Sequence, residues 1–361
     1  MKKQFLFFLA VSVGMIVVYV LFQFAMPVNP GKGPEEIRIA PGTTFRQAAE
    51  ILKQKGYIGD RRLFVIAARI TGADRTLKAG YYVLSGNMPA WVIFQMLKNG
   101  RMLKNQVTIV EGDSLLEIRR KLIEKNIMSA ADFDRLCKNQ AFLATLNIDA
   151  PSLEGYLFPA TYSFPKGDPP ELVFADMVDK LMQEYNGQLR ARTLAKGLNL
   201  RSVLTMASMV EKEAVKDSER SLIAAVFYNR LKQGMPLQSD PTAVYGVKPF
   251  CEGVTSEDLK RCTKYNTYKI KGLPPGPIDC PGLKSIKAAL YPAKVNYLYF
   301  ESNYDGTHTF SDDYESHKIA ILNSRAELKE KQNAVTYKEE IEQTKEMNNG
   351  KTADENEKKV N

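Results

Sequence analysis

One acidic residue, Glu213, lies in a stretch whose helix pattern places it beside apolar side chains. Residues 199–214 have the periodicity of a helix, and one face of that helix carries Val203, Met206, Met209 and Val210. Glu213 follows Met206 by seven positions and continues this stripe, whereas Glu211 falls on the opposite side and should meet solvent or a partner. A carboxyl group that loses hydration has a raised pKa, so it can protonate a glycosidic oxygen near neutral pH. Periodicity alone favours the alternative that Glu213 simply ends the stripe at the surface.

Polar, aromatic, Pro and Gly residues are dense further along the chain. Segments 237–242, 265–268 and 272–277 bring Gln, Asp, Asn and Tyr into rigid stretches. Sugars present both hydroxyl groups and apolar C–H faces, so polar side chains together with aromatic rings suit a carbohydrate groove. A cluster of structural turns explains the same composition equally well. His308 could hydrogen-bond a substrate, but for it and for His317 the residues alone favour a structural role.

The sequence lacks the motifs of several common enzyme classes. No G-x-S-x-G occurs, which leaves an α/β-hydrolase serine unsupported. A P-loop, G-x-G-x-x-G and H-E-x-x-H are also absent, which removes the usual nucleotide and zinc-peptidase interpretations. The net charge of +9 suits an anionic neighbour such as lipid headgroups, wall polymers or nucleic acid. Without zinc-finger spacing, an RNA-binding signature or a concentrated basic block, we expect no nucleic-acid partner.

Three of the four cysteines crowd together, and their state is open. Cys251, Cys262 and Cys280 fall within thirty residues, which allows a disulfide in an oxidising compartment. Pairing of Cys251 with Cys262 is the first expectation, and Cys262 with Cys280 the second. Ordinary buried thiols are an equally weighted alternative. A zinc site is less expected, because no C-x-x-C pair occurs and both histidines lie further downstream.

The first residues predict a membrane anchor. Residues 5–26 form an uncharged apolar run, and roughly 20 such residues span a bilayer as a helix. A cleaved signal peptide is the rival interpretation, but its apolar core would be shorter and no A-x-A-like site follows. Because the lysines precede the run, residues 1–4 should stay cytoplasmic and the remainder should be exported. We therefore expect a single-pass protein of the plasma (inner) membrane, with its catalytic part on the periplasmic or extracytoplasmic side.

Composition divides the exported part into segments, and the predicted fold class is α+β. A breaker-rich stalk covers residues 27–35. Residues 36–104 read as strand, two helices, strand and helix, which predicts a small separate domain. Residues 105–150 form a linking α/β segment, and 151–326, dense in aromatics, Pro and Gly, are typical of a site-bearing domain. Residues 327–361 are rich in Lys, Glu, Asn and Gln, and we expect a charged, disordered tail.

Five motifs in order carry a specific resemblance. They are LEGYLFPATYSF at 153–164, MASMVEKEA at 206–214, VFYNRLKQGMPLQSDPTAVYG at 226–246, YNTYKIKGLPPGPI at 265–278 and HTF at 308–310. With them, the chain resembles the YceG-like, or MltG-type, endolytic murein transglycosylases over roughly residues 35–325. This resemblance implies a LysM-like domain at about 36–104 and a mixed α+β catalytic transglycosylase domain at 151–326.

The resemblance also implies site residues. The family's catalytic glutamate is the second one of the Glu-Lys-Glu motif, which is Glu213, the residue that the helical wheel selected independently. Six more residues match family motif positions and are expected around a substrate groove: Glu154, Gln238, Asp240, Asn266, Tyr268 and His308. The sequence departs from the simplest family pattern in its Cys-bearing segment between Gly246 and Tyr265, which leaves the loop beside the groove unspecified.

The reaction implied by the resemblance is non-hydrolytic and requires no metal or redox cofactor. Glu213 would protonate the oxygen between N-acetylmuramic acid and N-acetylglucosamine. Its carboxylate would then deprotonate the muramyl 6-hydroxyl, which attacks C1 and closes a 1,6-anhydro ring. The expected partners are peptidoglycan glycan strands, trimmed or terminated near the membrane as they are made, and peptidoglycan synthases.

Two other functions remain open from the sequence. In a muramidase-type hydrolase, water captures C1 and a second carboxylate is needed, for which Asp240 and Glu154 are the candidates. In a non-catalytic wall-binding protein, the LysM-like unit would bind the cell wall and no bond would be cleaved. A desolvated acid at Glu213 argues against that last function, because a pure binder has no need for one.

Overall fold

The computed structural model describes residues 2–100 and 102–330. Its class is mixed α+β, mostly helical with small antiparallel sheets, which confirms that part of the predicted fold. The chain divides into two compact units. The first comprises Met1–Ile109, Glu117–Leu136 and Ala160–Asp176, and the second comprises Val110–Leu116, Cys137–Pro159 and Met177–Asn361. Most of the predicted tail, residues 331–361, lies outside the described residues.

The N-terminal helix, α1, covers Lys2–Ala25. Within it, Gln4–Ala25 is 22 residues long, has a mean hydropathy of 2.7 in its most apolar window and packs none of that window inside the protein. Since roughly 20 apolar residues cross a bilayer, the helix is long and apolar enough to do so by length and composition. The predicted apolar helix is confirmed, while its retention in a membrane stays a prediction.

The predicted strand–helix–helix–strand–helix order of residues 36–104 is confirmed. Strands β1, Glu35–Ile39, and β2, Gly80–Leu84, pair antiparallel. Helices α2, α3 and α4 cover Phe45–Gln54, Arg61–Thr71 and Ala90–Asn99. The likeness of this part to a LysM domain stays a prediction.

Local chemistry and one aromatic cluster hold these elements. Thr44 caps α2 through a capping box with Gln47, which satisfies backbone N–H groups that the first helical turn leaves free. Behind the cap, the ring of Phe64 lies 5.5 Å from that of Phe45 and 5.6 Å from that of Phe94, centroid to centroid. These rings come from three helices, so the cluster fixes α2, α3 and α4 to one another.

A second small sheet follows. Strand β3, Lys104–Thr108, pairs antiparallel with β4, Thr161–Pro165. Helices α5, α6 and α7 cover Leu115–Glu124, Ala130–Leu136 and Gln140–Thr145.

The later elements carry the chemistry-bearing segments. Helices α8 to α14 cover Pro170–Glu184, Gly187–Ala195, Leu200–Glu213, Arg220–Gln233, Asp240–Val244, Ser256–Lys260 and Leu283–Leu290. Strands β5, Tyr299–Ser302, and β6, His308–Ser311, form an antiparallel hairpin, and residues 314–330 are helical. The stretch predicted as a rigid loop around Asp240 thus contains a short helix, α12, which begins with Asp240 and Pro241 as proline at a first turn favours.

Helix α10 runs through the interior of the second unit. Every residue of Val203–Val210 is buried, and α11 and α14 pack against the helix. The one-sided apolar stripe of the helical wheel is therefore wrong as a description of burial, because protein surrounds the helix on its other faces too. Glu211 meets a partner as expected, since its carboxylate accepts from Arg220 Nη1 at 2.8 Å and from the backbone N–H of Gly282 at 2.9 Å.

The predicted disulfide pairings are wrong. None of the four cysteines, all of which lie in the described part of the chain, is in a disulfide; Cys137 and Cys280 are buried, and Cys251 and Cys262 are exposed. Burial raises the pKa of the Cys280 thiol well above its ordinary value, which keeps it in the unreactive protonated form. The buried-thiol alternative therefore describes Cys137 and Cys280.

Candidate active site

Glu213 is the last residue of α10 and lines a cavity of about 400 Å³. The cavity is also lined by Arg230, Gln238, Asp240, Tyr268, Phe300, Glu301, Ser302, Tyr304, His308 and His317. Four residues that the sequence predicted around a groove therefore share one cavity with Glu213: Gln238, Asp240, Tyr268 and His308. Most of the lining is polar or ionisable, as expected of a site that binds a hydrogen-bonding ligand.

The surroundings of Glu213 raise the pKa of its carboxyl group, so that a large fraction of it stays protonated up to neutral pH. Burial is the main cause that raises its pKa from 4.5 to about 7, and the negative charge of Asp240 acts in the same direction. A hydrogen bond from Ser239 and the positive charge of Arg230 oppose the rise. A carboxyl group with a pKa near the working pH can donate a proton and, once ionised, can accept one. The site is thus equipped for acid/base chemistry.

Ser239 is the direct partner of Glu213, and a buried hydroxyl network holds it. Its Oγ donates to Glu213 Oε1 at 2.6 Å, while its backbone N–H donates to Thr267 Oγ1 at 2.9 Å. Its carbonyl oxygen accepts from Thr242 Oγ1 at 2.5 Å, and the two threonine hydroxyls lie 2.8 Å apart. Ser239, Thr242 and Thr267 have no exposed surface, so the position of the serine hydroxyl is closely defined.

At Gln238 the backbone has an unusual conformation, and the side chains of Gln238 and Ser239 have different surroundings. Gln238 has a φ of 51°, in the left-handed region that a residue other than Gly seldom adopts. Its side chain lines the cavity, and its Oε1 accepts from Arg230 Nη1 at 3.2 Å. The next residue, Ser239, turns inward to Glu213. This turn lets two consecutive residues serve the cavity and the buried network.

Arg230, on α11, is a buried cation that the sequence analysis did not select. Its Nε donates to Leu298 O at 2.6 Å, and its Nη1 donates to Leu237 O at 2.9 Å and Pro236 O at 3.3 Å. Backbone carbonyls rather than a carboxylate thus satisfy most of its donors. Arg230 joins α11 to the segment before Ser239 and to the start of β5, and its charge faces the cavity.

Asp240 and Tyr268 both line the cavity and are hydrogen-bonded to each other. The Tyr268 hydroxyl donates to Asp240 Oδ1 at 2.6 Å. Burial, with the negative charges of Asp240 and Glu213, raises the pKa of Tyr268, which keeps the phenol protonated as a donor. A sugar hydroxyl entering here would meet a phenol and a carboxylate that already orient each other.

His308, at the start of β6, is held by Glu219. Its Nδ1 lies 2.7 Å from Glu219 Oε2, and its backbone N–H donates to Glu219 Oε1 at 3.0 Å. Glu219 immediately precedes α11 and was not selected by the sequence analysis. No local pattern marks it, because its partner lies 89 residues further along the chain.

His317 and Glu301 are two further ionisable residues at the cavity. His317 stacks on Tyr299 with ring centroids 4.9 Å apart, and burial lowers its pKa, which keeps the imidazole neutral. Its Nδ1 is buried and has no hydrogen-bond partner among the described residues. Both residues line the cavity, although the sequence had favoured a structural role for His317 and had not selected Glu301.

Two predicted site residues lie elsewhere. Glu154 is buried, and its carboxylate accepts from Leu115 N–H at 3.1 Å and from the Tyr245 hydroxyl at 2.9 Å. Asn266 is fully buried, its Nδ2 donates to the carbonyl of Arg261 at 2.7 Å and those of two nearby residues, and its Oδ1 accepts from Tyr268 N–H at 3.0 Å. Asn266 thus organises the loop that carries Tyr268, and neither it nor Glu154 lines the cavity.

Replacement of Ser239 by Ala should move the pH dependence of catalysis. Because the serine hydroxyl stabilises the ionised form of Glu213, its removal should raise the pKa of Glu213 and shift the alkaline limb of the pH–kcat/KM profile to higher pH. Ser208→Ala is a matched control, since Ser208 is a buried serine of α10 that accepts from Ile278 N–H and does not touch Glu213. An alkaline limb that stays in place in Ser239→Ala would contradict this role.

A carboxyl group with a raised pKa in a polar, ionisable cavity is suited to acid/base chemistry, and comparison with known proteins gives the family. The chain matches the YceG-like family over residues 37–323 and belongs to that family. An endolytic murein transglycosylase of Bacillus subtilis is 33% identical over 302 residues, covering 79% of this chain and 83% of that protein. A Streptococcus pneumoniae protein of the same name is 30% identical over 316 residues, covering 78% of this chain and 56% of its own length. The named relatives are lytic enzymes.

A solved structure supports the fold. The crystal structure of a yceG-like protein from Listeria monocytogenes aligns with a TM-score of 0.55 at 33% sequence identity. The alignment covers 79% of this chain and 98% of that protein. The resemblance that the five motifs carried is therefore confirmed at the level of the family.

Proposed function

We propose that this chain is an endolytic murein transglycosylase that cleaves the bond between N-acetylmuramic acid and N-acetylglucosamine and leaves a 1,6-anhydro end. The observation that carries the proposal is the Glu213 carboxyl group, raised in pKa to about 7 at the wall of a polar cavity. Family membership supports the substrate, since the relatives carry the name of that activity.

The proposed reaction uses groups already present in the cavity. Protonated Glu213 gives its proton to the glycosidic oxygen while the bond from that oxygen to C1 of N-acetylmuramic acid breaks. The muramyl 6-hydroxyl then attacks C1 and gives its proton to the Glu213 carboxylate, which restores the acid. Gln238, Asp240 and Tyr268 offer hydrogen-bond donors and acceptors for the sugar hydroxyls, and Tyr304, half exposed at 49%, offers an aromatic face.

The products decide between this reaction and its nearest rival. Purified peptidoglycan is digested with the full-length protein in detergent, and the fragments are analysed by mass spectrometry. Internal fragments with 1,6-anhydromuramyl ends support lytic endotransglycosylation. Free reducing ends throughout would contradict it and indicate hydrolysis.

Muramidase-type hydrolysis remains the second candidate because a further carboxylate shares the cavity. Asp240 lines it together with Glu213, whereas Glu154, the other candidate named from the sequence, is engaged elsewhere. Asp240 already accepts from Tyr268, which orients it but leaves one carboxylate oxygen for a water. The ends of the products report which nucleophile captures C1.

We further propose that α1 anchors the enzyme in the plasma (inner) membrane with the N-terminus cytoplasmic and the cavity on the extracytoplasmic side. The length and hydropathy of Gln4–Ala25 support a membrane span. Residues 36–104 would act as a LysM-like wall-binding domain and 151–326 as the catalytic domain, joined by 105–150. Such a protein would act on glycan strands beside the synthases that make them.

A further inference from the structure

The ring of His317 lines the cavity of Glu213, and the reaction given above does not use it. The ring stacks on Tyr299, with centroids 4.9 Å apart and an angle of 20° between the planes. Its Nδ1 is buried, and in the described part of the chain no group hydrogen-bonds to either ring nitrogen. Because protein covers Nδ1, Nε2 is the nitrogen that a molecule in the cavity can reach.

The surroundings of His317 decide what Nε2 offers. Burial lowers the pKa of the imidazole, the charge of Glu301 opposes this change and the charge of Arg230 adds to it, so the ring is neutral and carries one proton. A proton on Nδ1 would be a buried donor without an acceptor, an arrangement that folded proteins rarely contain. The proton therefore resides on Nε2, which makes His317 a hydrogen-bond donor toward the cavity.

Glu301 lies near this donor and offers the opposite function. It is two positions after Tyr299 in β5, so its side chain projects from the same face of the strand as the ring on which His317 stacks. Its negative charge acts on His317, yet within the described residues no hydrogen bond or ion pair joins the two side chains. A carboxylate only accepts hydrogen bonds. The cavity thus presents a donor and an acceptor with a space between them.

An acetamido group matches this pair together with the ring of Phe300. Its carbonyl oxygen accepts, its N–H donates, and in a trans amide the two point in opposite directions. The donor and the acceptor that bind it must therefore lie apart, as those of His317 and Glu301 do. Its methyl group favours apolar contact, and Phe300 is the one purely apolar side chain among the described residues that line the cavity. A hydroxyl group has no methyl and does not require partners on opposite sides.

We propose that His317 and Glu301 bind the acetamido group of a sugar in the glycan strand, with His317 Nε2–H donating to its carbonyl oxygen and Glu301 accepting from its N–H. The proposal rests on the peptidoglycan-cleaving function given above. Both repeating sugars, N-acetylglucosamine and N-acetylmuramic acid, carry this group. The pair makes the enzyme prefer N-acetylated strands to de-N-acetylated ones.

Cleavage of acetylated and de-N-acetylated peptidoglycan tests the donor. Full-length protein in detergent receives intact peptidoglycan, or peptidoglycan treated with a deacetylase specific for one of the two sugars, and kcat/KM is measured from the release of anhydro-ended fragments. His317→Phe keeps a ring on Tyr299 but has no donor, so kcat/KM on intact peptidoglycan should fall roughly tenfold. On the substrate whose bound sugar lacks its acetyl group, wild type and His317→Phe should have equal kcat/KM. That substrate identifies the sugar.

Glu301→Ala tests the acceptor, independently of the His317 ring should His317→Phe misfold. It should lower kcat/KM roughly tenfold or more on intact peptidoglycan. The loss should persist on the de-N-acetylated substrate, because the free amine of that sugar still donates to Glu301. Glu315→Ala is the matched control, since this carboxylate has a side-chain exposure of 78% and lies outside the cavity, and it should leave all rates unchanged.

Three results would overturn the proposal. They are an equal loss in His317→Phe on all three substrates, wild-type rates on intact peptidoglycan in both folded variants, and a wild-type kcat/KM that is the same with and without N-acetylation. Failure of the underlying function looks different, because the wild-type protein would then release no anhydro-ended fragments from intact peptidoglycan.

Discussion

Replacement of Glu213 by Gln is expected to reduce peptidoglycan cleavage by roughly a thousandfold. The amide has nearly the same size as the carboxyl group, so the cavity keeps its shape while the proton donor is lost. Ser239 can still donate to the amide oxygen, which preserves the contact that holds the end of α10. Release of anhydro-ended fragments, measured by mass spectrometry against the wild-type rate, checks the expectation.

The control for this substitution is Glu252→Gln, the same chemical change at an exposed position outside the cavity. It should retain wild-type activity, and circular dichroism should show native helix content in both variants. Cleavage by Glu213→Gln at more than a tenth of the wild-type rate would remove Glu213 from the role of acid.

The raised pKa of Glu213 also predicts how kcat/KM and the stability of the protein change with pH. The acid must be protonated to act, so kcat/KM should fall as the pH rises through about 7. In the folded protein the group binds its proton more tightly than in the unfolded chain, where the pKa is near 4.5, so its contribution to stability declines as pH rises from 4.5 to 7. Above pH 7, Glu213→Gln should therefore be the more stable protein, by at most about 3 kcal/mol. Thermal melts at pH 4 and pH 8 should show the gain at pH 8 only.

Replacement of Arg230 by Met should also have a large effect, because we expect it to lower both the free energy of unfolding and the rate of cleavage. The side chain satisfies carbonyl oxygens before Ser239 and just before β5, and Met would leave the buried acceptor of Leu237 and the half-buried acceptor of Leu298 without this partner. We expect the free energy of unfolding to fall by about 3 kcal/mol or more. Cleavage should be nearly lost, because the segment that carries Gln238 and Ser239 loses its anchor. A denaturant titration and the peptidoglycan assay measure the two effects.

Two further variants separate the charge of Arg230 from its forked geometry. Arg230→Lys keeps the cation but cannot reach the same carbonyls, so its stability should be intermediate. Arg190→Met is the matched control, since Arg190 also donates to two backbone carbonyls, at 2.9 and 3.0 Å, but at an exposed position. Equal stability losses in Arg230→Met and Arg190→Met would show that burial of the Arg230 contacts contributes nothing.

By itself the sequence determined the features that depend on neighbours along the chain. The apolar run at 5–26 predicted α1, and capping and periodicity predicted the order of elements in residues 36–104, because helix starts such as Thr44 with Gln47 involve residues one turn apart. The same local reasoning placed Glu213 on a helix that continues apolar positions. Five ordered motifs then identified the family, which the comparisons confirmed.

Only the tertiary structure decided which polar side chains meet Glu213. Ser239 reaches it across 26 residues of chain and Glu219 reaches His308 across 89, and no spacing rule covers such contacts. Asn266 and Tyr268 are two residues apart in one motif. The side-chain amide of Asn266 nevertheless donates to backbone carbonyls of its loop, while Tyr268 lines the cavity. The physical reason is that a polar group is satisfied wherever the folded backbone brings a partner, and a single unusual backbone angle, such as that of Gln238, redirects consecutive side chains. The helices α11 and α14 that pack against α10 are likewise not contained in the wheel of α10 alone, and neither are Ser239, Asp240 and Arg230, which tune the pKa of Glu213.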